Sequence, residues 1–444
     1  MKKVLFLAYL FPPIANSGTQ RPWKFAKYLA DYGWQPTVVT AAHFEGHNLD
    51  ARLAADVPAN VEIVRVPMLN ERIGGTIASL AGGGRLGWKL GDAVSWRIRA
   101  RRQTPDLYAL WKPTAMRAAM QLFRERGFDA IYATGFPWTS LLIGCELSQA
   151  TGRPLVADFR DLWAGESRFG TEQRPPHEVE LAQERAVLEC AGTIVTASAS
   201  IARQLAAAHP EVDEDKFVAI HNGFDAADFA DAPPAPRSKR FRIVFTGVWK
   251  DLYNPSELYD SIDWIRRSEP ALLDDVEVIA AGFVPGEARR RGLTAYINER
   301  GVLPHDEAVA LMRSADILYL PHADAERQWA VPGKVYEYLA SGASVLGLMP
   351  PDKETAQIIR AVGGGITVSP DDPGALYQTL AEACRARQLA VPARNVDALN
   401  RFERRQLTAK LAAVLEEAAS HAPVHHTALR MGAGSSTMLA TRSS

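Results

Sequence analysis

The chain contains only three cysteines in 444 residues, Cys145, Cys190 and Cys384, and none of them forms a C-x-x-C pair. This scarcity argues against a disulfide framework or a zinc site and suits a reducing compartment. Apolar runs are short, and none approaches the ~20 residues that a membrane-spanning helix needs. Net charge is nearly absent, at -1, whereas a nucleic-acid binder must neutralise many phosphates. Any electrostatic preference of the protein must therefore be local.

The first residues, MKKVLFLAYLFPP, combine a positive start with an apolar run, as a signal peptide does. However, the run ends at Pro12-Pro13, and no small-residue cleavage site follows it. A buried first strand explains the segment better. We therefore expect a cytoplasmic protein, with peripheral contact at the inner face of the cell membrane as a further option.

Short apolar runs alternate with helical patterns along most of the chain. Strands that are apolar on both faces and separated by helices predict parallel sheets covered on both sides. The sequence therefore predicts an α/β protein with two doubly wound, Rossmann-like domains. The runs are KVLFLAY, QPTVVTA, VEIVRVP, DAIYATG, RPLVADF and GTIVTAS in the first half, and FRIVFTG, VEVIAAG, DILYLP, SVLGL and GITVS in the second.

Proline and small residues in DAADFADAPPAPRSKR mark the boundary between the two domains. The chain after the last periodic segment lacks apolar periodicity, which is typical of a disordered tail. The predicted divisions are a first domain at 1–230, a linker at 231–240, a second domain at 241–396, a C-terminal helix at 397–418 and a tail at 419–444.

Ligands of doubly wound sheets bind at the carboxyl ends of the strands, so the cleft should lie between the domains. In the loop after the first strand, Ser17-Gly18 permits a close backbone approach, and Thr19 is a candidate helix cap. Such a turn suits a phosphate or a sugar hydroxyl. The alternative is a capped strand-to-helix turn without a ligand. The G-x-G-x-x-G fingerprint of a dinucleotide site is absent, which disfavours hydride chemistry.

A second polar loop, ADFRDLWAG, follows an apolar strand directly. Two carboxylates, Asp158 and Asp161, flank Arg160, and such charges are costly near a core unless they are paired. The loop therefore either addresses a substrate hydroxyl or phosphate, or forms a structural ion pair anchored by Trp163.

Three more loops face the predicted cleft. IHNGFD places Asn222 at the hinge, and FTGVWKD places Lys250 where a diphosphate could bind; the alternative for Lys250 is a solvated lysine. In WAVPGKVYEYLASGASVLG, Gly333 allows a ligand to approach the backbone, while Lys334 and Glu337 share one face of a helix that starts at Pro332. Lys334 and the helix amides suit phosphates, and Glu337 suits ribose hydroxyls. The alternative for the last two residues is a surface ion pair.

These segments, in this order, resemble the family-4 glycosyltransferases of the GT-B fold. FPPIANSGTQR is similar to the opening glycine loop of that family, and ASASIARQL with AIHNGFD is similar to the end of its first domain. FTG opens the second domain, and KVYEYLASGASVL is similar to the nucleotide-binding segment. The resemblance covers the chain to about residue 418.

The resemblance implies that Glu337 holds the donor ribose, that Gly18 belongs to the phosphate-side loop and that Asp161 follows the strand near the transfer site. The chain departs from the family at three positions. Arg160 replaces a usual histidine, Trp329 replaces a glutamate, and Val248 replaces an arginine. Lys334 and Arg327 are the candidates that restore positive charge.

The predicted site has three groups of residues, and no metal or cofactor is expected. They are the catalytic pair Asp161 and Arg160; the donor-binding residues Glu337, Lys334, Gly333, Gly247, Lys250, Asn222 and Arg327; and the acceptor or phosphate loop Ser17, Gly18 and Gln20.

An excursion of about residues 70–112 is rich in arginine and tryptophan. This composition suits the headgroup zone of an anionic membrane, where a lipid-linked acceptor would emerge. The alternative is a folded excursion whose arginines bind an acidic glycan or stay solvated. The basic and aromatic residues are Trp88, Trp96, Arg97, Arg99, Arg101 and Arg102.

We expect a hexosyl-type glycosyltransferase that moves a sugar from a nucleotide sugar to a glycan or polyprenyl-linked acceptor in surface polysaccharide or glycolipid synthesis. The resemblance implies a retaining, metal-independent reaction. Two alternatives are a GT-B sugar-nucleotide epimerase, which needs no acceptor, and a catalytically silent nucleotide-sugar-binding protein, since Trp329 replaces a carboxylate.

Overall fold

The apolar runs of the first half of the chain form one parallel sheet. The computed structural model describes residues 1–42, 47–82, 84–99, 104–164, 177–232, 238–247, 255–282, 286–322 and 329–421. Within these ranges the first sheet consists of β1 (Lys2–Leu7), β2 (Trp34–Ala41), β3 (Glu62–Val66), β4 (Ala130–Gly135), β5 (Leu155–Phe159), β6 (Thr193–Thr196) and β7 (Phe217–Ala219).

The second half of the chain forms another parallel sheet with the same kind of strand order. The described strands are ordered β3-β2-β1-β4-β5-β6-β7 in the first sheet and β10-β9-β8-β11-β12-β13 in the second. The predicted architecture of two doubly wound α/β domains is therefore confirmed. The strands of the second sheet are β8 (Phe241–Thr246), β9 (Val276–Ala281), β10 (Ile297–Arg300), β11 (Ile317–Pro321), β12 (Ser344–Leu348) and β13 (Gly365–Val368).

Helices connect the strands and cover both faces of each sheet, which is why the strands read as continuous apolar runs. Those of the first half are α1 (Ser17–Tyr28), α2 (Ala51–Ala55), α3 (Leu69–Leu80), α4 (Arg85–Arg99), α5 (Lys112–Arg126), α6 (Thr139–Thr151), α7 (His177–Cys190), α8 (Ala199–Ala208) and α9 (Ala226–Asp231). Those of the second half are α10 (Ser256–Ser268), α11 (Glu287–Arg290), α12 (His305–Arg313), α13 (Lys334–Ala340), α14 (Glu354–Val362), α15 (Pro373–Ala386), α16 (Val396–Asn400) and α17 (Arg404–His421).

Helix α1 begins earlier than the sequence pattern predicts. The expected cap at Thr19 is wrong, because Asn16 is the N-cap residue and its Oδ1 accepts a hydrogen bond from the Thr19 backbone N–H at 3.0 Å. Thr19 itself is buried within the first turn. An asparagine side chain serves the exposed N–H groups of a helix as well as a threonine does.

The last helix, α17, returns to the first domain. Leu407, Leu411 and Leu415 are buried in the same apolar cluster as Val4 and Phe6 of β1. The chain crosses between the domains twice, and the two crossings are hydrogen-bonded side by side. The Phe224 N–H donates to the Phe402 carbonyl at 3.0 Å, and the Arg404 N–H donates to the Phe224 carbonyl at 2.8 Å.

The predicted excursion is a helical hairpin of α3 and α4. Its helices approach closely because they meet through glycines: a Cβ at Gly74 would lie 2.7 Å from the Gly91 carbonyl oxygen. Among the described residues, no helix is long and apolar enough to cross a membrane.

Candidate functional site

The predicted site residues lie at the carboxyl ends of strands in both sheets, where the strand order of a doubly wound fold opens a crevice. Residues that follow β1, β5 and β7 form the wall of the first domain, and residues that follow β8 and β11 form the opposite wall. The predicted residues Lys250 and Arg327 lie outside the described residues.

Arg160 holds the backbone of the first wall together. Its Nε donates to the Gly135 carbonyl at 2.7 Å, and its terminal nitrogens donate to the carbonyls of Gly18 and Phe136. A Cβ at Gly18 would lie 3.0 Å from Arg160 Nη1, so the glycine admits this guanidinium. The guanidinium is thus engaged with the loops that follow β1 and β4, which gives it a positioning role.

The other predicted residues of the first wall lie at the cleft surface. Ser17 is exposed at the start of α1, and Gln20 and Asn222 are partly exposed. Asp161 is partly exposed directly after Arg160. The structure therefore brings the loops that follow β1, β5 and β7 to one edge of the sheet.

Beneath this wall lies a buried ion pair between Arg21 and Asp158. Arg21 donates to both carboxylate oxygens of Asp158, with a shortest distance of 2.8 Å, and to the carbonyls of Ile220 and His221 at 2.6 and 3.0 Å. Tyr132 Oη also donates to Asp158 at 2.6 Å. The structural alternative is therefore correct for Asp158. Sequence reasoning missed Arg21, which is 137 residues away from its partner.

On the second wall, Lys334 and Gly247 meet at the end of β8. The Lys334 ammonium donates to the Thr246 carbonyl and occupies the position that a Cβ at residue 247 would take, so only glycine fits there. Tyr338 of α13 accepts a hydrogen bond from the Thr246 N–H at 2.9 Å. Burial lowers the pKa of Lys334 to about 8, although the nearby Glu337 favours its charged form.

Glu337 is the predicted site residue whose functional group is most available. Its side chain is partly exposed, next to the exposed Gly333, and its carboxylate has no hydrogen-bond or ion-pair partner among the described residues. The charges of Lys334, His305 and Arg404 lie within electrostatic range of it. The carboxylate is thus free to accept hydrogen bonds from a ligand.

His305, at the start of α12, is a titratable neighbour of the site that sequence reasoning missed. Its Nε2 lies 3.2 Å from Asp228 of the first domain, and Lys24 donates to the same carboxylate at 2.8 Å. Burial opposes a charged imidazole, but the hydrogen bond with Asp228 and the charge of Glu337 outweigh it and raise the pKa of His305. This group joins the two domains at the floor of the cleft.

Glu354 makes a second contact between the domains. It accepts hydrogen bonds from the first amides of α8, Ala199 N at 2.9 Å and Ser200 N at 2.6 Å, and contacts His221 Nε2 at 2.9 Å. Burial would raise the pKa of Glu354, but hydrogen bonds from His221, Ser200 and Ala199 outweigh it and lower the pKa to about 2. A helix N-terminus stabilises a carboxylate in this position.

Trp329 makes a third contact between the domains. Its indole is buried in the apolar core of the first domain, and its carbonyl accepts a hydrogen bond from Ser198 Oγ at 3.0 Å. The position where the family resemblance predicts a carboxylate therefore supplies apolar packing across the interface. No group of three or more His, Cys, Asp or Glu side chains in the described ranges is placed to hold a metal ion.

Comparison with solved structures identifies the class of fold. Sucrose-phosphate synthase from Thermosynechococcus elongatus superposes with a TM-score of 0.57 at 14% identity, over 95% of this chain and 97% of that one. Anabaena HepE in complex with UDP-glucose gives 0.56 at 14% identity, over 94% and 100%. WaaG, a glycosyltransferase involved in lipopolysaccharide biosynthesis, gives 0.54 at 14% identity, over 94% and 99%. The chain thus has the two-domain GT-B fold.

The family is indicated by the first domain. The model of Glycosyltransferase Family 4 matches residues 22–228. No curated protein sequence matches the chain. The resemblance to family-4 glycosyltransferases that the sequence motifs indicate is therefore confirmed by the family match of the first domain and by the GT-B fold of the chain.

Proposed function

We propose that the protein is a glycosyltransferase that moves a hexosyl group from a nucleotide sugar to a glycan or lipid-linked acceptor in surface polysaccharide or glycolipid synthesis. The observation that carries this proposal is the Glu337 carboxylate, which is partly exposed in the cleft and has no partner among the described residues. A buried or half-buried carboxylate without a partner is costly unless a ligand satisfies it. The hydroxyls of the donor ribose would donate hydrogen bonds to it.

Lys334 supplies the positive charge that such a reaction needs. The departing nucleoside diphosphate gains negative charge in the transition state, and a fixed ammonium next to it lowers the barrier without a metal ion. The ammonium is fixed because it is bonded to the Thr246 carbonyl at the carboxyl end of β8. From the first wall, Asp161 and the Ser17-Gly18 loop would face the acceptor. Retention of configuration is implied by the family resemblance.

The donor site is tested by calorimetry with UDP-, GDP-, ADP- and dTDP-sugars on the wild type, Glu337→Gln and Glu382→Gln. Glu382 is an exposed carboxylate on α15 and serves as the matched control. We expect one nucleotide to bind the wild type and the control equally, and Glu337→Gln about tenfold or more weakly, ~1.4 kcal/mol, with an unchanged Tm. Equal affinity of Glu337→Gln would contradict the assignment.

The same donor, once found, separates the alternatives. An epimerase would convert the donor sugar without any acceptor. A catalytically silent binding protein would bind the donor but neither transfer nor hydrolyse it. A glycosyltransferase releases the nucleoside diphosphate faster when an acceptor is added.

We further propose that the hairpin of α3 and α4 contacts an anionic membrane. Seven basic residues stand against two acidic ones in residues 69–103, and the hairpin exposes large apolar side chains that a purely soluble surface would bury. The exposed fractions are 83% for Leu80, 83% for Leu86, 55% for Trp88 and 53% for Leu90.

A groove of about 820 Å³ begins at Leu69, where the hairpin starts. Its lining includes the apolar side chains of Met116 and Met120 and the cations Arg117 and Arg124. An apolar chain with an anionic head, such as a lipid-linked acceptor, matches this lining. Flotation tests the membrane contact: wild type should float with anionic vesicles and not with zwitterionic ones, and Leu80→Ser/Leu86→Ser should float less. Failure of the wild type to float would overturn the proposal.

A further inference from the structure

Arg404, the first residue of α17, is a buried cation. Its side chain lies at the paired crossings between the domains, and the residue is only 6% exposed. The guanidinium has no hydrogen-bond or ion-pair partner among the described residues, and its Nη1 is fully buried. Nη1 therefore has neither solvent contact nor a protein acceptor, which is unfavourable for a charged group.

The carboxylates around Arg404 are mostly engaged elsewhere. Asp225 accepts hydrogen bonds from Lys24 at 2.6 Å and from Tyr28 Oη at 2.8 Å, and Asp228 is bonded to Lys24. Glu337 is the exception, because its carboxylate has no partner among the described residues. The charges of these three carboxylates act on Arg404, but burial and the positive charge of Arg21 outweigh them and lower the pKa of its guanidinium to about 10. Arg404 therefore remains a cation at neutral pH.

A second orphaned polar group lies on the same side. The hydroxyl of Tyr336 is buried and has no hydrogen-bond partner among the described residues. The ring of Tyr336 packs on that of Phe402, with 4.9 Å between the ring centres. Tyr336 directly precedes Glu337 in the sequence, and Phe402 lies two residues before Arg404. An unpaired cation, an unpaired hydroxyl and an unpaired carboxylate thus gather where α13 meets the crossing.

We propose that Arg404 completes the donor site, where its guanidinium binds a phosphoryl oxygen of the nucleotide whose ribose Glu337 holds. This inference rests on the proposed function. A planar guanidinium offers two parallel donors to a phosphoryl group, which a lysine in the same place does not. The donor would thereby be held by both domains, by α13 on one side and by the start of α17 on the other.

The test compares Arg404→Met with Arg405→Met. Arg405 is the exposed neighbour that pairs with Asp31, so its loss removes one positive charge from the same helix end without entering the site. Binding of the donor's nucleoside diphosphate and of its nucleoside is measured by calorimetry, and Tm without ligand by thermal unfolding. We expect Arg404→Met to bind the diphosphate about tenfold or more weakly and the nucleoside unchanged, while its Tm rises because a buried unpaired charge is gone.

Equal diphosphate affinity in wild type and Arg404→Met would overturn the inference. The guanidinium would then donate to an internal water or to Glu337 and not to the nucleotide. Arg404→Lys keeps the charge and should bind with intermediate affinity, so it gives the same answer if the methionine variant does not fold. If the wild type binds no nucleotide sugar, the proposed function fails separately. Inorganic pyrophosphate then replaces the donor: it must raise the Tm of the wild type but not that of Arg404→Met, and an equal rise in both would refute the site.

Discussion

Two buried arginines at the same crossing, Arg21 and Arg404, show how differently one residue type can be used. Arg21 is 1% exposed and Arg404 is 6% exposed, so burial hardly distinguishes them. Burial lowers the pKa of both, but Asp158 more than compensates at Arg21 and raises its pKa, whereas the pKa of Arg404 stays lowered at about 10. The difference lies in the acceptors, since Arg21 has a carboxylate and two carbonyls.

The same contrast extends to the two walls of the cleft. Arg160 in the first wall donates hydrogen bonds to three carbonyls, so its guanidinium holds the surrounding loops in place. In the second wall Glu337 has no partner among the described residues, and it faces the cleft. Charges with acceptors in the fold therefore have a structural role, and charges without one among the described residues are the candidates for ligand binding.

The largest effect is expected when the satisfied pair is broken. Asp158→Asn leaves the Arg21 charge buried without its counter-ion, which should lower the free energy of unfolding by about 3–5 kcal/mol. Urea unfolding measures the loss. Asp161→Asn, a partly exposed carboxylate in the same loop, is the control and should change stability by under ~1 kcal/mol. A loss as small as that of the control would show that the pair is not structural.

A smaller effect is expected at the contact of Glu354 with α8. Its pKa in the folded protein, about 2, lies below the ordinary value of 4.5, so the carboxylate stabilises the fold above pH 4.5 and this contribution is lost as the pH falls toward 2. Glu354→Gln should lower the free energy of unfolding by roughly 2 kcal/mol at pH 7. Urea unfolding at several pH values should show the difference between variant and wild type narrowing below pH 4.5; a pH-independent difference would contradict the mechanism.

The smallest effect on stability, and a clear one on binding, is expected at Lys334. Its pKa in the folded protein is about 8 against an ordinary 10.5, so its contribution to stability rises with pH between these values. The ammonium must be charged to bind a diphosphate, so donor affinity should fall above pH 8, by up to about tenfold per pH unit. Lys334→Met should bind weakly at every pH. A flat wild-type profile from pH 7 to 10 would exclude Lys334 from the diphosphate site.

The sequence predicts the fold well because the central strands are buried on both faces. One strand escapes prediction, β10 (Ile297–Arg300), and it lies at an edge of its sheet. It carries the polar sequence INER. An edge strand needs no two-sided apolar run, so periodicity gives no signal for it.

The proximity of candidate site residues was predictable where one short motif supplies them. Gly333, Lys334 and Glu337 come from a single segment, and Gly247 from the end of an evident strand, so their proximity follows from topology alone. The partners of Arg21 and Glu354, and the carboxylates whose charges act on Arg404, come from distant segments. Only the folded chain shows which of these charges has an acceptor. This property distinguishes residues that hold loops in place from candidate ligand-binding residues.

The return of α17 has a mechanical consequence. Because β1 and α17 lie in the same domain and Lys2 pairs with Glu416 at 2.6 Å, a force applied to these two elements runs through the first domain alone. The second domain is an insertion whose entry and exit are tied together by the hydrogen bonds between Phe224, Phe402 and Arg404. Pulling would therefore detach α17 from the first domain before tension reached the second domain.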